Sequence, residues 1–358
     1  MRQLLLFLAG LAAFLATPAL GHEREDRAPR TVAVGDLHGD FEAWETIAEA
    51  AQLVDRKGRW SGGSTVLVQL GDITDRGPDS LKIIRHLQAL AEQAAKEGGQ
   101  VIVLLGNHEA MNVTGDLRYV HAGEYEAFRG RTSKSLRQKV WEARKDQLAA
   151  AYREDEPDLT LEQVKQRFFD LTPLGLVEHR IAWTPDGELG KWAASLPAIA
   201  RVGDTLFVHG GMSAERGLDD IAAINARYSA ALLPGDLVDR SVLDDPLGPL
   251  WYRGNVVREA ATPEQIPPRP SRAEELDAIL AYHRAKRLVV GHTPSLQGMA
   301  AELGGRLVRV DTGIAGHYGG PASYLVIEDG QATAHQKGSD GRWTARALPL
   351  AHKEGATP

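Results

Sequence analysis

The sequence predicts an α/β fold, in which helices pack against a sheet built largely of parallel strands. Strand and helix signals alternate along the first third of the chain, and an alternation of this kind implies right-handed crossovers around a central sheet. Several buried-strand runs end in glycine beside a polar or charged side chain, as at a site on a sheet edge. With 358 residues, 43% of them hydrophobic, the chain can bury one large core or two small ones.

The elements follow from the hydrophobic periodicity. The first part alternates strand and helix, with strands predicted at 31–34, 65–70 and 101–105 and helices at 41–53 and 81–96. The segment 113–197 differs, because helical periodicity at 136–152 and 161–169 carries many charged residues, and we predict a mostly helical insertion there. Further strands are predicted at 205–208, 288–290, 307–310, 324–327 and 332–335, and a loose tail at 348–358.

The first 21 residues have the pattern of a secretory signal peptide. A basic start at Arg2 precedes an apolar run at 4–16, and the small residues Ala19 and Gly21 follow, so cleavage is expected after Gly21. The apolar run is too short to span a bilayer, which argues against a stable membrane anchor, although an uncleaved anchor is the alternative. We therefore expect an exported protein, periplasmic in a Gram-negative host, with a flexible charged leader at 22–30.

The composition excludes several classes of function. The chain contains no cysteine, which excludes disulfides, thiolate metal sites and a lipid-modified cysteine. Its formal net charge of −7 argues against a nucleic acid partner.

Two of the predicted strands lead into acidic and basic side chains. Asp36 and His38 follow the first strand, where a carboxylate and an imidazole two residues apart can converge on a cation; a capping aspartate beside a surface histidine is the alternative. Asp72 and Arg76 follow the second strand. The Asp72 carboxylate is a candidate bridge between two cations, and the planar Arg76 guanidinium suits a phosphoryl group. A salt-bridged turn is the alternative for this second segment.

Three more strand ends carry the same kind of residue. Asn107 and His108 follow the third strand and offer an amide oxygen and an imidazole that titrates near neutral pH. The alternative is that these residues only form a turn. His209 precedes two glycines after the strand at 205–208, and His292 follows the strand at 288–290. A mixed set of nitrogen and oxygen ligands suits manganese, iron or zinc better than calcium.

Taken together, these motifs resemble those of the calcineurin-like metallophosphoesterases, specifically the phosphoprotein phosphatase branch. The matching motifs are Gly35-Asp-x-His-Gly39, Gly71-Asp-x-x-Asp-Arg-Gly77, Gly106-Asn-His-Glu109, His209-Gly-Gly211 and Gly291-His292. They span roughly residues 31–330, and the stretches at 107–112 and 115–119 are most similar to the bacterial Shewanella-like protein phosphatases. The resemblance implies an αββα sandwich of two mixed β-sheets flanked by helices, over a domain at 31–347.

The resemblance also implies two divalent metal ions per chain, with manganese favoured and iron or zinc as alternatives. Carried over by motif, one ion would be held by Asp36, His38 and Asp72, and the other by Asp72, Asn107, His209 and His292. A water molecule between the ions would attack the phosphorus of a phosphate monoester in line.

The remaining site residues implied by the resemblance handle the phosphate and the leaving group. Arg76, Asn107 and Arg253 would hold phosphate oxygens, although Arg253 has a surface arginine as its alternative. His108 would protonate the leaving oxygen, oriented and charged by Asp75. The implied activity is that of a protein phosphatase acting on a phosphoprotein or phosphopeptide.

The sequence departs from the eukaryotic serine/threonine phosphatases in two places. The stretch between Met111 and His209 is longer, and residues 311–320 stand where those enzymes have a tyrosine–cysteine substrate loop. Two other functions stay open. A dinucleotide polyphosphate hydrolase shares the fold but usually has Asn in place of Asp75 and Asp in place of Glu109. The other alternative is a non-catalytic, metal-loaded binding protein.

Overall fold

The computed structural model describes residues 29–235, 238–258 and 270–351. Two mixed β-sheets pack face to face and carry helices on their outer faces, which confirms the predicted αββα sandwich. The predicted signal peptide, most of the leader and the end of the tail lie outside the described residues. Of the helices in the described ranges, none has both the length and the apolar character needed to cross a membrane.

The strands are short, and the helices are concentrated in the middle of the chain. The strands are β1 Thr31–Val34, β2 Val66–Gln69, β3 Gln100–Val103, β4 Ile199–Val202, β5 Thr205–Val208, β6 Arg287–Val290, β7 Ala300–Glu302, β8 Leu307–Arg309, β9 Ser323–Glu328, β10 Gln331–Lys337 and β11 Trp343–Ala347. The helices are α1 Phe41–Ala50, α2 Ser80–Lys96, α3 Asn107–Thr114, α4 Ala122–Phe128, α5 Ser133–Asp155, α6 Leu161–Leu171, α7 Leu176–Trp183, α8 Glu188–Ser195, α9 Ala214–Gly217, α10 Ile221–Leu232 and α11 Arg272–Tyr282.

Parallel strands form the centre of each sheet. The first sheet has the order β11-β10-β9-β1-β2-β3, with β1, β2 and β3 parallel and in register from Thr31 through Val66 to Gln100. The second sheet has the order β4-β5-β6-β8-β7, with β5, β6 and β8 parallel. Every residue of β1, β2, β5 and β6 is buried, as expected for parallel strands covered on both faces.

Alternate residues of the strands face two different cores. Between the sheets lies a layer that includes Ala33, Val68, Phe207, Val289 and Val308. The neighbouring strand residues, such as Val32 and Leu67, point the other way and pack with Trp44 of α1 and Ile83 of α2. Successive side chains of a strand point to opposite faces of the sheet. A strand that is covered on both faces is therefore apolar at almost every position.

The segment 113–197 contributes α4 to α8. The helices predicted at 136–152 and 161–169 correspond to α5 and α6, which are longer than predicted at one or both ends. A separate small core holds these two helices together through Trp141, Val164 and Phe168.

Several boundaries and elements differ from the prediction. Helix α1 ends at Ala50 rather than 53, because Gln52 takes a left-handed conformation with φ +57° that no helix continues. Strands β4, β7 and β11 were not predicted. The expected loose tail at 348–358 is wrong at its start, since Leu348 is buried in the inter-sheet core and its N–H donates to the Ala332 carbonyl at 2.8 Å.

Candidate active site

The loops after β1, β2, β3, β5 and β6 meet at one edge of the sandwich, where the carboxyl ends of the parallel strands from both sheets come together. They bring the predicted metal ligands into one buried group. None of these side chains is more than 6% exposed: Asp36, His38, Asp72, Asn107, His209 and His292. Burying so many polar groups is unfavourable unless each has a partner.

The backbone at this edge is strained. Five of the predicted site residues have left-handed φ angles, which residues other than glycine rarely adopt: His38 (+42°), Asp72 (+52°), Asp75 (+72°), Arg76 (+67°) and His292 (+61°). Each such conformation costs about 1–3 kcal/mol and persists only where surrounding contacts enforce it. The fold therefore holds these side chains in directions that an ordinary turn would not give.

Glu109 supplies many of the contacts that hold this backbone, a role that the sequence analysis did not predict for it. Its Oε1 accepts from the backbone N–H groups of Ile73 (2.9 Å) and Thr74 (3.1 Å), and its Oε2 from those of Asp72 (2.9 Å) and Gly106 (3.0 Å). The loop after β2 is thereby fixed to the start of α3. The sequence feature that indicates this role is the capping-box position of Glu109, three residues after the N-cap Gly106.

Two glycines are required by close packing around the ligands. A Cβ atom on Gly106 would lie 2.3 Å from the backbone nitrogen and the Oδ1 of Asp72. A Cβ on Gly291 would lie 2.6 Å from Oδ1 of Asp36. Larger residues at either position would displace a predicted ligand, which explains why glycine accompanies the ligands at the strand ends.

One possible metal-binding group consists of His38, Asp72 and His108. His38 Nδ1 lies 3.0 Å from the Thr74 carbonyl and donates to it, which leaves Nε2 facing Asp72 Oδ2 at 3.8 Å. Burial lowers the pKa of His38 to about 3, so its imidazole is neutral, as a metal ligand must be. Asp36, predicted in this group, accepts from the His292 N–H at 3.1–3.2 Å, and its remaining lone pairs stay available to a cation.

The other group consists of Asp72, His209 and His292. His209 Nδ1 donates to the Leu70 carbonyl at 2.8 Å, and its Nε2 lies 2.9 Å from Asn107 Oδ1 and 3.3 Å from Asp72 Oδ2. His292 Nε2 is buried and has no hydrogen-bond partner among the described residues. Asp72 is common to both groups, the position that a bridging ligand requires.

The electrostatics of the pocket favour a cation. Burial raises the pKa of Asp36 well above its usual range, and the nearby charges of Asp311 and Asp72 raise it further. Burial alone would lower the pKa of His209, but the carboxylates of Asp72 and Asp36 raise it to about 9. Three buried carboxylates and an unpartnered imidazole nitrogen fit divalent ions that take mixed oxygen and nitrogen ligands. Asp311, which is 3% exposed, was missed in the sequence.

His108 and Asp75 form a buried pair beside the ligands. His108 Nδ1 lies 2.6 Å from Asp75 Oδ2. Burial alone would lower the pKa of His108, but the charges of Asp72 and Asp75 raise it overall. Asn112, also missed in the sequence, donates from Nδ2 to Asp75 Oδ1 at 2.9 Å and so fixes the carboxylate. Asp75 accepts the Nδ1 proton in a hydrogen bond, which leaves Nε2 as the atom through which His108 can exchange a proton.

The two arginines predicted to bind phosphate lie next to the candidate ligands. Arg76 Nη2 lies 3.3 Å from His108 Nε2, and the buried Nε of Arg76 has no hydrogen-bond partner among the described residues. Arg253 is exposed, yet its Nη1 donates to the His292 carbonyl at 2.7 Å and to Thr293 Oγ1 at 3.0 Å. Both guanidinium groups therefore have donors near the ligand groups.

The sequence profile of the calcineurin-like phosphoesterases matches residues 29–317. Shewanella-like protein phosphatase 2 of Arabidopsis thaliana is 30% identical over 306 residues, which cover 82% of this chain and 73% of the relative. Shewanella-like protein phosphatase 1 of Plasmodium berghei is 27% identical over 314 residues, covering 84% and 72%. The crystal structure of a cold-active protein-tyrosine phosphatase from a psychrophilic Shewanella species is similar, with a TM-score of 0.63, 26% identity and coverage of 90% of this chain and 80% of that one.

Proposed function

The chain belongs to the calcineurin-like phosphoesterases, a family of metal-dependent hydrolases, and on that premise we propose that it is a phosphoprotein phosphatase. The observation that carries the proposal is the arrangement around Asp72. Two potential ligand groups share this carboxylate. His108, a member of the first group, is paired through Nδ1 with Asp75, which favours a proton donor over a metal ligand, and Arg76 lies beside it. In a metal-dependent site, a place for cations, a proton donor and a phosphate clamp together supply what hydrolysis of a phosphate monoester uses.

The ligands would hold two divalent ions, and manganese is our proposal for both. One ion would be held by Asp36, His38 and Asp72, and the other by Asp72, Asn107, His209 and His292. When bound, such ions lower the pKa of water and stabilise negative charge on phosphoryl oxygens. The hydrogen bonds from His38 to Thr74 and from His209 to Leu70 orient these two rings, as carbonyl partners do in known metal sites.

The other side chains act on the phosphoryl group and on the leaving group. Arg76, Asn107 and Arg253 would bind phosphoryl oxygens, and the Nη2 of Arg76, 3.3 Å from His108 Nε2, lies where the phosphate and the leaving group would meet the proton donor. His108 would give its Nε2 proton to the leaving oxygen. Asp75, at 2.6 Å from Nδ1, would keep the imidazole charged until that transfer.

The comparisons support a phosphorylated protein as the substrate. The relatives in Arabidopsis and Plasmodium are named as protein phosphatases, and the similar Shewanella structure is named as a protein-tyrosine phosphatase. We therefore propose phosphopeptides as substrates, with phosphotyrosine among the accepted residues. Asp75 and Glu109 differ from the residues usual at these positions in dinucleotide polyphosphate hydrolases, which favours the phosphatase over that alternative.

A substrate panel tests this function. The chain, stripped of metal and then reconstituted with Mn²⁺, is offered p-nitrophenyl phosphate, phosphotyrosine and phosphoserine peptides, and diadenosine tetraphosphate. We expect hydrolysis of the monoesters, its loss with a chelator and its return with Mn²⁺. Arg76→Ala should lose most activity, whereas Arg85→Ala, on a surface arginine paired with Glu188, should not. Cleavage of diadenosine tetraphosphate alone, or full activity without metal, would contradict the proposal.

We also propose that the protein is exported and loses residues 1–21. The basis is the signal pattern at the start of the chain, with its apolar run at 4–16. N-terminal sequencing of the protein from its host should give a start near His22. A chain that begins at Met1 and fractionates with the cytosol would refute export.

A further inference from the structure

Two tyrosines contact the guanidinium group of Arg76. Its Cζ lies 4.9 Å from the centroid of the Tyr119 ring and 5.0 Å from that of the Tyr318 ring, over the ring in both cases. Both distances are within the range of cation–π attraction, about 6 Å. Tyr119 follows α3 and Tyr318 lies between β8 and β9, so it is the fold that brings the two rings to the same arginine.

The charge of Arg76 has no carboxylate partner among the described ion pairs. Its Nη atoms lie beside imidazoles, at 3.3 Å from His108 Nε2 and 3.5 Å from His317 Nε2, and its buried Nε has no partner in the described part of the chain. A carboxylate would occupy the donor edge of the guanidinium and neutralise it. An aromatic ring attracts the cation through its face and does not compete for the N–H groups at the edge of the guanidinium, where a phosphoryl group would bind.

Each ring is also held against the rest of the site. The Arg76 N–H donates to the Tyr119 carbonyl at 2.9 Å, and the Tyr119 ring lies 5.2 Å from that of His108. The Tyr318 ring lies 5.6 Å from the His38 ring. Because Arg76 has a strained φ of +67°, its direction depends on such contacts rather than on a relaxed backbone. Among the described residues, neither phenol hydroxyl has a hydrogen-bond partner, so these tyrosines contact Arg76 through their ring faces.

We propose that Tyr119 and Tyr318 are positioning residues, which hold the Arg76 guanidinium by cation–π contact in the orientation that binds the phosphoryl group. The proposal rests on the proposed function, in which Arg76 binds phosphate. Contacts of this kind at partly exposed sites correspond to about a two- to fivefold change in binding per ring. Loss of both rings should therefore weaken phosphate binding by roughly four- to 25-fold.

The test measures binding of inorganic phosphate to the manganese-loaded full chain by titration calorimetry, together with its inhibition of p-nitrophenyl phosphate hydrolysis. The variants are Tyr119→Leu, Tyr318→Leu and the double replacement, each also made to Phe and each repeated in an Arg76→Ala background. Tyr282→Leu is the matched control. Tyr282 is 52% exposed, and among the described residues the one aromatic ring it contacts is that of His283. The single variants give the answer if the double variant does not fold.

We expect weaker phosphate binding in the Leu variants, recovery of binding in the Phe variants, and no further loss from Leu once Arg76 is Ala. Unchanged binding in the Leu variants of an active enzyme would overturn the inference and leave the proposed function intact. The inference also fails if Phe loses as much as Leu, or if the Leu losses persist without Arg76. A parent protein that neither binds phosphate nor hydrolyses monoesters would refute the proposed function first, and the inference with it.

Discussion

Replacing Asp75 with asparagine should slow the hydrolysis of phosphoserine far more than that of p-nitrophenyl phosphate. The Asp75 carboxylate accepts from His108 Nδ1 at 2.6 Å and from Asn112 Nδ2 at 2.9 Å, and both members of the His108–Asp75 pair are at most 3% exposed. In the variant, the hydrogen bond from Asn112 would keep the amide oxygen where it is. The new amide nitrogen would then donate its hydrogen bond to His108 Nδ1. An Nδ1 atom that accepts a hydrogen bond carries no proton, so the imidazole would be in its neutral form.

The size of the effect follows from the lost charge-assisted hydrogen bond. Hydrogen bonds to charged groups contribute about 1.5–3 kcal/mol. At 1.36 kcal/mol per factor of ten, this is about a ten- to 150-fold loss where the step needs a charged imidazole. His108→Asn removes the acid itself and should cost about 10²–10⁴, the usual range for general acid catalysis. A serine alkoxide needs the proton most, tyrosine phenolate less, and p-nitrophenolate least.

The assay is kcat/KM for the three substrates in the parent, Asp75→Asn and His108→Asn, with the metal content of each confirmed. His335→Asn is the matched control, because His335 lies on β10 and stacks on Tyr324 away from the site. We expect losses ordered phosphoserine, phosphotyrosine, p-nitrophenyl phosphate in both site variants. An equal loss for all three substrates would show that His108 does not donate the proton.

Three further outcomes are expected. Asp72→Asn should lower the occupancy of both ions and His38→Ala chiefly that of one, because both ligand groups share Asp72; two ions retained by dialysed Asp72→Asn would contradict this. Glu109→Gln should lower the free energy of unfolding in urea by about 2–4 kcal/mol, since its amide nitrogen must face backbone N–H groups, and an unchanged midpoint would refute that role. Burial raises the pKa of Glu124 from 4.5 to about 8, so the folded state holds this proton more tightly than the unfolded state. The free energy of unfolding therefore falls as the pH rises from 4.5 to about 8. Glu124→Gln should therefore gain stability relative to the parent from about pH 5 to about pH 9, while the exposed control Glu126→Gln should not; equal pH profiles would count against the shift.

The sandwich and the location of the site could be predicted because their signals are local. Each central strand is a short apolar run, and each predicted ligand lies within a few residues of its end, as with Asp36 after β1 and His209 after β5. Parallel strands place their carboxyl ends at one edge, so the convergence followed from the order of elements.

The remaining features depend on contacts that the sequence does not display. Strands β7 and β11 are short edge strands without an apolar run, and their partners in the sheet determine that they are strands. Asp311 reaches the pocket from the loop after β8, and Tyr318 approaches Arg76 across the site. The residues around a loop carboxylate or a loop aromatic ring do not indicate which distant side chain it will contact in the fold.

The most direct test of the account is an anomalous difference map from crystals of the manganese-loaded chain. We predict two peaks on either side of Asp72, which both ligand groups share: one bounded by Asp36 and His38, and the other by Asn107, His209 and His292. A single peak, or peaks that do not share the Asp72 carboxylate, would contradict the two-ion site on which the proposed function rests.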